Sequence, residues 1–373
     1  MNILFLSHQA EFIYGGEICT LEIIKALRNA GVNVFFALPD GPYKKRAEEF
    51  CTCLPLSSIE FQRKMHFLPH LLPALWKSSK EISVYIEKYK IDCVHATSLK
   101  SFVYAWKIAR QKKLPAIWHH HDIMPQNIFN KIWLCILAMP AAKIIVPSLA
   151  TRHALFQSGV SYKKIEVINN AFPKEQWIKR SLHSKENKKR FCISMIGEIS
   201  HRKGSDWIGP LMEQLEEKMP GQFILQVIGE GLSDPIFAET IKKENQLFIE
   251  KGVIQFLGRR NDVKDLLQKT DILWVPSRQD PLPTVIVEAG FSGVPVLASP
   301  TGGIPEMVEN NRNGFLCENI KEFTQKFILL KQDPLLWEKL SIGARKFAEE
   351  KYSIEKMTEK LLHLYRETQR KSK

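Results

Sequence analysis

The chain has no apolar run close to the ~20 residues that cross a bilayer. Its longest, 132–146, is broken by Pro140 and carries Lys143, and reads as a helix followed by a strand. The opening residues MNILFLSH lack the basic start and small-residue cleavage site of a secretory leader, and read as a buried first strand. Seven cysteines (Cys19, Cys51, Cys53, Cys93, Cys135, Cys192, Cys317) are odd in number, scattered and without zinc-type pair spacing. Free thiols in a reducing cytoplasm are therefore expected, with no metal and no cofactor. Gly229-Glu230-Gly231 lacks the third glycine of a dinucleotide fingerprint, and no acidic residue ends the next strand, which argues against a nicotinamide site. No internal repeat, low-complexity tract or nucleic-acid motif occurs, so a nucleic-acid partner is not expected.

What is present is a soluble-type composition, 45% hydrophobic and 25% charged over 373 residues, long enough for two domains. The charge is uneven. Residues 1–190 hold 28 Lys and Arg against 14 Asp and Glu, a net of +14, while 191–373 come to −1. The first half should therefore attract an anionic partner. Short apolar runs at 3–6, 32–37, 93–95, 116–119 and 143–147 alternate with helical patterns, and so do those at 191–196, 223–228, 254–256, 272–275, 295–298 and 314–316. Runs of this kind suit parallel strands buried on both faces, with ligands at the strands' carboxyl ends. The basic, aperiodic stretch 173–190 reads as a linker between a domain at 1–172 and another at 191–352. Residues 353–373 read as an amphipathic helix with a basic tail.

The densest chemistry lies at 276–288, PSRQDPLPTVIVE. Pro283 suits the first turn of a helix. The N–H groups of Thr284 and Val285 would then leave its N-terminus free for phosphate. Glu288, when ionised, can accept both hydrogen bonds of a ribose diol. Asp280 would face a sugar beyond the phosphates. The combination fits a nucleotide-sugar.

Other motifs fall at expected strand ends. Tyr14-Gly15-Gly16-Glu17 precedes a helical run, where paired glycines permit positive φ and close approach to an oxyanion. Trp118-His119-His120-His121-Asp122 ends a strand in which only alternate side chains can converge, which disfavours a metal site. Arg202 and Lys203 in GEISHRKG stand before an expected helix, placed to meet a diphosphate. Phe256-Leu257-Gly258-Arg259 and Thr301-Gly302-Gly303 close two further strands.

In this order these segments resemble the retaining glycosyltransferases of family 4, the group 1 glycosyltransferases, along most of the chain. The resemblance implies the GT-B fold: α/β, two Rossmann-like doubly wound domains facing across a deep cleft, with the last helix (353–373) returning to the first domain. It implies an N-terminal domain that binds acceptor and a C-terminal one that binds the nucleotide-sugar donor. Gly15, Gly16, Arg202, Lys203, Gly258, Arg259, Asp280, Thr284, Val285 and Glu288 then bind donor, and His121, Lys203 and Asp280 take part in catalysis. Two departures stand out. Asp280 replaces the family's first glutamate, and Glu198 stands where an arginine is usual, leaving Arg202 to substitute. No two aspartates flank a single residue, as they do in metal-dependent enzymes of the other common glycosyltransferase fold, so an electrostatic, metal-independent mechanism is expected.

The implied activity is sugar transfer from a UDP- or GDP-sugar to a lipid-linked or polysaccharide acceptor in envelope glycan assembly. The alternatives are a small soluble acidic acceptor, or nucleotide-sugar binding without catalysis. Two cationic, apolar stretches, 61–77 and 127–137, fit either peripheral contact with an anionic membrane from the cytoplasmic side or core helices whose cations are solvated.

Overall fold

The computed structural model describes residues 1–370 except Phe12, Tyr14, 58–67 and 178–189; the side chains of 68–75, Lys107, Ala109 and Arg110 also fall outside it. The chain forms two compact units, Met1–Ala171 with the C-terminal segment from Ile354, and Phe172–Ser353.

The first unit runs β1 (Asn2–Leu6), α1 (Gly15–Asn29), β2 (Asn33–Leu38), α2 (Pro42–Glu48), β3 (Thr52–Pro55), α3 (Leu68–Lys88) and β4 (Cys93–Ala96). It continues with α4 (Leu99–Lys112), β5 (Ala116–His119), α5 (Ile128–Ala138), β6 (Lys143–Val146), α6 (Leu149–Gln157) and β7 (Ile165–Val167). All strand pairs are parallel, in the order β3-β2-β1-β4-β5-β6-β7. β4 and β5 are buried along their whole length, as both-face packing requires. The edge strands β3 and β7 escape the hydropathy pattern because they are short and partly exposed.

The second unit contains β8 (Phe191–Ile196), α7 (Ile208–Lys218), β9 (Phe223–Ile228), α8 (Pro235–Glu244), α9 (Gln246–Glu250), β10 (Ile254–Gly258) and α10 (Val263–Lys269). Then come β11 (Ile272–Val275), α11 (Thr284–Phe291), β12 (Val296–Ala298), β13 (Gly314–Leu316), α12 (Ile320–Gln332) and α13 (Pro334–Lys351). Its parallel sheet has the order β10-β9-β8-β11-β12-β13. Trp177 and Phe172 meet edge to face and are buried in this unit, so the start of the basic stretch after Pro173 is packed.

The last helix, α14 (Ile354–Arg370), belongs to the first unit and packs on α1. Met357, Leu361, Leu364, Tyr365 and Thr368 are buried, a spacing of three and four that gives one helical face. Met357, Leu361, Leu364 and Tyr365 join Ile3, Phe5 and Ile24 in one core cluster.

Candidate functional site

In each sheet the direction of chain progression reverses beside the first strand: between β1 and β4, and between β8 and β11. Ligands of open α/β sheets settle at the carboxyl ends of strands flanking such a reversal. In the second unit the loops after β8 and β11 carry the residues singled out by sequence.

The β8 loop ends in a short 3-10 turn, His201–Lys203, and Gly204 follows at φ 77°; a Cβ there would stand 2.1 Å from the Pro276 carbonyl oxygen. Only glycine lets the two loops touch. That contact brings Lys203 Nζ to 2.5 Å from Asp280 Oδ2, with the carboxylate side chain 6% exposed and the lysine 18%. Asp280 is gripped from its other side as well. Gly303 N–H donates to its carbonyl at 2.9 Å, and a Cβ on Gly302 would fall 2.0 Å from the same oxygen. Arg202 and Lys203 stand before a helix, as the sequence suggested, with a second 3-10 turn, Ser205–Trp207, between them and α7.

Arg278 was not singled out by sequence, yet it holds this loop together. Its guanidinium takes both carboxylate oxygens of Asp206 at 2.6 Å and donates to the His201 carbonyl at 2.8 Å. Its backbone N–H bonds the Arg202 carbonyl. The ion pair with Arg278 holds the Asp206 carboxyl below its usual range, against the upward pull of partial burial. Nothing in the linear pattern links 278 to 206. Arg202 donates to the Gln279 carbonyl at 3.2 Å and lies 3.8 Å from Glu198 Oε2. Glu198 also accepts the N–H of Ser233 at 3.0 Å, so the carboxylate standing where an arginine is usual ties the β8 loop to the β9 loop.

Downstream, α11 begins at Thr284 with Pro283 at its N-cap and no capping side chain. α8, α12 and α13 in the same unit are capped by Asp234, Asn319 and Asp333. Glu288 lies one turn into α11 and is half-buried. Burial around its carboxyl pushes the pKa up to about 7, against the opposing hydrogen bond from Thr284 and the charge of Lys264. Near neutrality Glu288 is therefore divided between acid and carboxylate. Gly258 ends β10 at φ 64°, followed by exposed Arg259.

In the first unit Gly15 and Gly16 are the opening residues of α1, and Gly16 does not use the positive φ that a glycine permits. Tyr14, next to them, is outside the described residues. His121 follows β5 and is half-buried; its Nε2 is enclosed without a hydrogen-bond partner. His119 and His121 stack at 4.1 Å between centroids, the convergence of alternate side chains expected of an extended segment. His120 turns away, edge-on to Trp118. Burial lowers the pKa of His120 and of His121 to about 4, so both rings are neutral near pH 7. Among the described residues no group of three or more His, Cys, Asp or Glu is placed to hold a metal ion.

α5 carries a row of exposed apolar side chains: Ile128 (64% exposed), Phe129 (81%), Ile132 and Trp133. The other cationic stretch, 61–77, lies outside the described residues at 61–67, and its side chains outside them through 75. Among the described residues no helix is long and apolar enough to cross a membrane.

Residues 13–176 match the family described as Glycosyltransferase Family 4, and 177–347 match Glycosyl transferases group 1. An uncharacterized glycosyltransferase of Haemophilus influenzae is 30% identical over 65% of this chain and 67% of its own. The N,N'-diacetylbacillosaminyl-diphospho-undecaprenol alpha-1,3-N-acetylgalactosaminyltransferase of Campylobacter jejuni is 23% identical, covering 98% of both chains. The crystal structure of Anabaena HepE in complex with UDP superposes with a TM-score of 0.82 at 22% identity, over 98% of this chain and 100% of that one. This last likeness establishes the fold, two parallel-sheet α/β domains of the GT-B type. With both halves matched in chain order and the two strand reversals in place, the chain belongs to the group 1 glycosyltransferases, which act on nucleotide sugars.

Proposed function

We propose that this chain is a retaining hexosyltransferase, moving a sugar from a UDP- or GDP-sugar to a lipid-linked or polysaccharide acceptor without a metal. The observation that carries the reading is the Lys203–Asp280 pair at the strand reversal, a few residues before the uncapped N-terminus of α11. An ammonium has three donors, and Asp280 uses one, leaving two for phosphate oxygens. Lys203, Arg202 and the N–H groups of Thr284 and Val285 would bind the diphosphate and stabilise its charge as it leaves. Glu288 would clasp the ribose, and Gly258 and Arg259 would border the base. Asp280 and the neutral His121 would orient the sugar, with Gly15 and Gly16 offering N–H groups from α1. Retention would follow from same-face attack assisted by the departing phosphate. In this scheme 1–172 binds acceptor, 173–190 links, and 191–352 binds donor.

The Campylobacter relative's name describes a diphospho-undecaprenol acceptor, which supports a lipid-linked one here. The exposed row on α5 and the +14 excess of residues 1–190 support peripheral contact with an anionic membrane at its cytoplasmic face, in envelope glycan assembly.

A thermal-shift and hydrolysis screen with UDP-glucose, UDP-galactose, UDP-N-acetylglucosamine and GDP-mannose tests the donor reading. Stabilisation and slow hydrolysis with one of them, lost in Lys203→Ala and Glu288→Ala, is expected. No response to any sugar nucleotide would overturn it, and binding with no turnover on added glycan acceptors would favour a binding protein. Flotation with anionic and neutral liposomes tests the membrane contact. Equal recovery on both, or full activity on a soluble acidic acceptor, would remove it.

A further inference from the structure

Beneath His121 the first unit buries polar rings where hydrocarbon would fill the space at no cost in unpaired nitrogens. His95, on β4, is enclosed completely and stacks on Phe5 at 4.5 Å. Its Nδ1 lies 2.6 Å from the hydroxyl of Tyr365, which reaches it from α14 across 270 residues of sequence. Its Nε2 lies 3.3 Å from Nδ1 of His119, and His119 is the ring on which His121 stacks. Burial holds His95 at a pKa of about 3 and His119 well below the ordinary value, so both rings are neutral. Each therefore has one donor and one acceptor nitrogen.

We propose that Tyr365 and His95 are positioning residues for His121: the Tyr365 hydroxyl fixes where the protons sit on His95 and His119, and His119 thereby holds the His121 ring. The proposal rests on the reading of His121 as a residue that orients the donor sugar. The direction of the chain follows from elimination. The Tyr365 hydroxyl is fully buried and, among the described residues, has no other hydrogen-bond partner. With the phenol donating, the chain leaves one buried group unpaired, the His119 Nε2–H, whereas the reverse direction leaves both the hydroxyl proton and the His119 Nε2 acceptor unpaired; His95 Nδ1 therefore accepts and its proton lies on Nε2. That N–H donates to His119 Nδ1, which places the proton of His119 on its Nε2, an atom enclosed without a protein partner. One hydroxyl at the end of the chain thus sets the tautomers of two rings and the electrostatic face that His119 presents to His121. Sequence could not reveal this, because Tyr365 reads there as one more apolar position of an amphipathic helix.

Tyr365→Phe keeps the ring and removes the hydroxyl. With the full-length chain labelled with 15N-histidine, long-range proton–nitrogen spectra at about pH 7.5 report the tautomer of each neutral ring. The wild type should show His95 and His119 protonated on Nε2. In Tyr365→Phe, His95 should move toward the Nδ1–H form, with shifts at His119 and His121. Turnover of the sugar nucleotide selected by the screen should fall roughly ten-fold, with KM within about two-fold of wild type. If Tyr365→Phe folds poorly, His95→Gln probes the same chain by the same spectra. Unchanged His119 and His121 signals would overturn the proposal. So would altered tautomers with undiminished turnover, provided that His121→Ala is inactive. An active His121→Ala would instead remove the reading of His121 itself, and the proposal with it.

Discussion

The two sheets share one plan and have opposite electrostatics at their strand ends. At the carboxyl ends of β4 and β5 the polar groups are buried imidazoles, stripped of charge and linked ring to ring. At the ends of β8 and β11 they are ionic, Lys203 with Asp280 and Arg278 with Asp206. The excess positive charge of the sequence lies in the first half, yet the cations read as phosphate ligands lie in the second, each held by an acid. Net charge and site charge are different quantities. A phosphate site needs cations in fixed positions, and fixing a cation in a half-buried loop requires a counter-ion. Orienting a neutral sugar requires hydrogen-bonding groups of set direction, which uncharged rings supply.

The largest effect expected on the ionic side is that of Lys203→Ala. Removing the lysine bonded to Asp280 should lower kcat/KM for donor hydrolysis by about 10²–10³. A loss under five-fold at saturating donor would contradict the assignment. Asp280→Asn should come next. Lys203 then lacks its counter-ion in a loop that remains half-buried, and unfolding free energy should drop by about 3 kcal/mol in denaturant titration. Arg278→Lys keeps the charge and loses the two-pronged bond to Asp206. We expect kcat/KM to fall roughly ten-fold, mainly through donor KM, with little change in melting temperature.

Acid should separate the two units. His120 and His121 have pKa values of about 4 when folded, against 6.5 unfolded, so the unfolded chain takes up protons first as pH falls. Their contribution to stability is complete above pH 6.5 and is lost as pH falls from there through about 4, at up to about 1.4 kcal/mol per pH unit for each. Differential hydrogen exchange at pH 7.5 and 5 should show the first unit loosening first; equal loss in both units would contradict it.

Glu288 gives a pH effect of the opposite sign. Glu288 is raised to about 7 from 4.5, so its contribution is complete below pH 4.5 and is lost as pH rises through 7. Glu288→Gln cannot ionise. Its melting temperature relative to wild type should therefore rise between pH 5 and pH 8, and a constant difference would show that the carboxyl is not desolvated.

Strands that are largely apolar runs bounded by turn residues were legible: 191–196, 223–228, 272–275 and 314–316 agree with β8, β9, β11 and β13 residue for residue. β3 and β7 were not, because a short edge strand need not be apolar. The Gly-Gly pair was found at the start of α1, but its backbone conformation was not legible, since a glycine in a helix's first turn is indistinguishable in sequence from one in a turn. Arg278 stood inside the segment that drew attention first and was still passed over, because its partner is a loop residue of another strand.

Sequence by itself determined the alternation of strands and helices, the two sheets, the positions of the glycine-bearing strand ends, and the asymmetry of charge. Those are set by local burial and backbone freedom, which each residue expresses where it stands. Only the tertiary structure decided the pairings: Lys203 with Asp280 across 77 positions, Arg278 with Asp206 across 72, His95 with Tyr365 across 270. Such contacts depend on which strands lie side by side and on the face a returning helix presents, and parallel sheets bring together strand ends that are far apart in the chain.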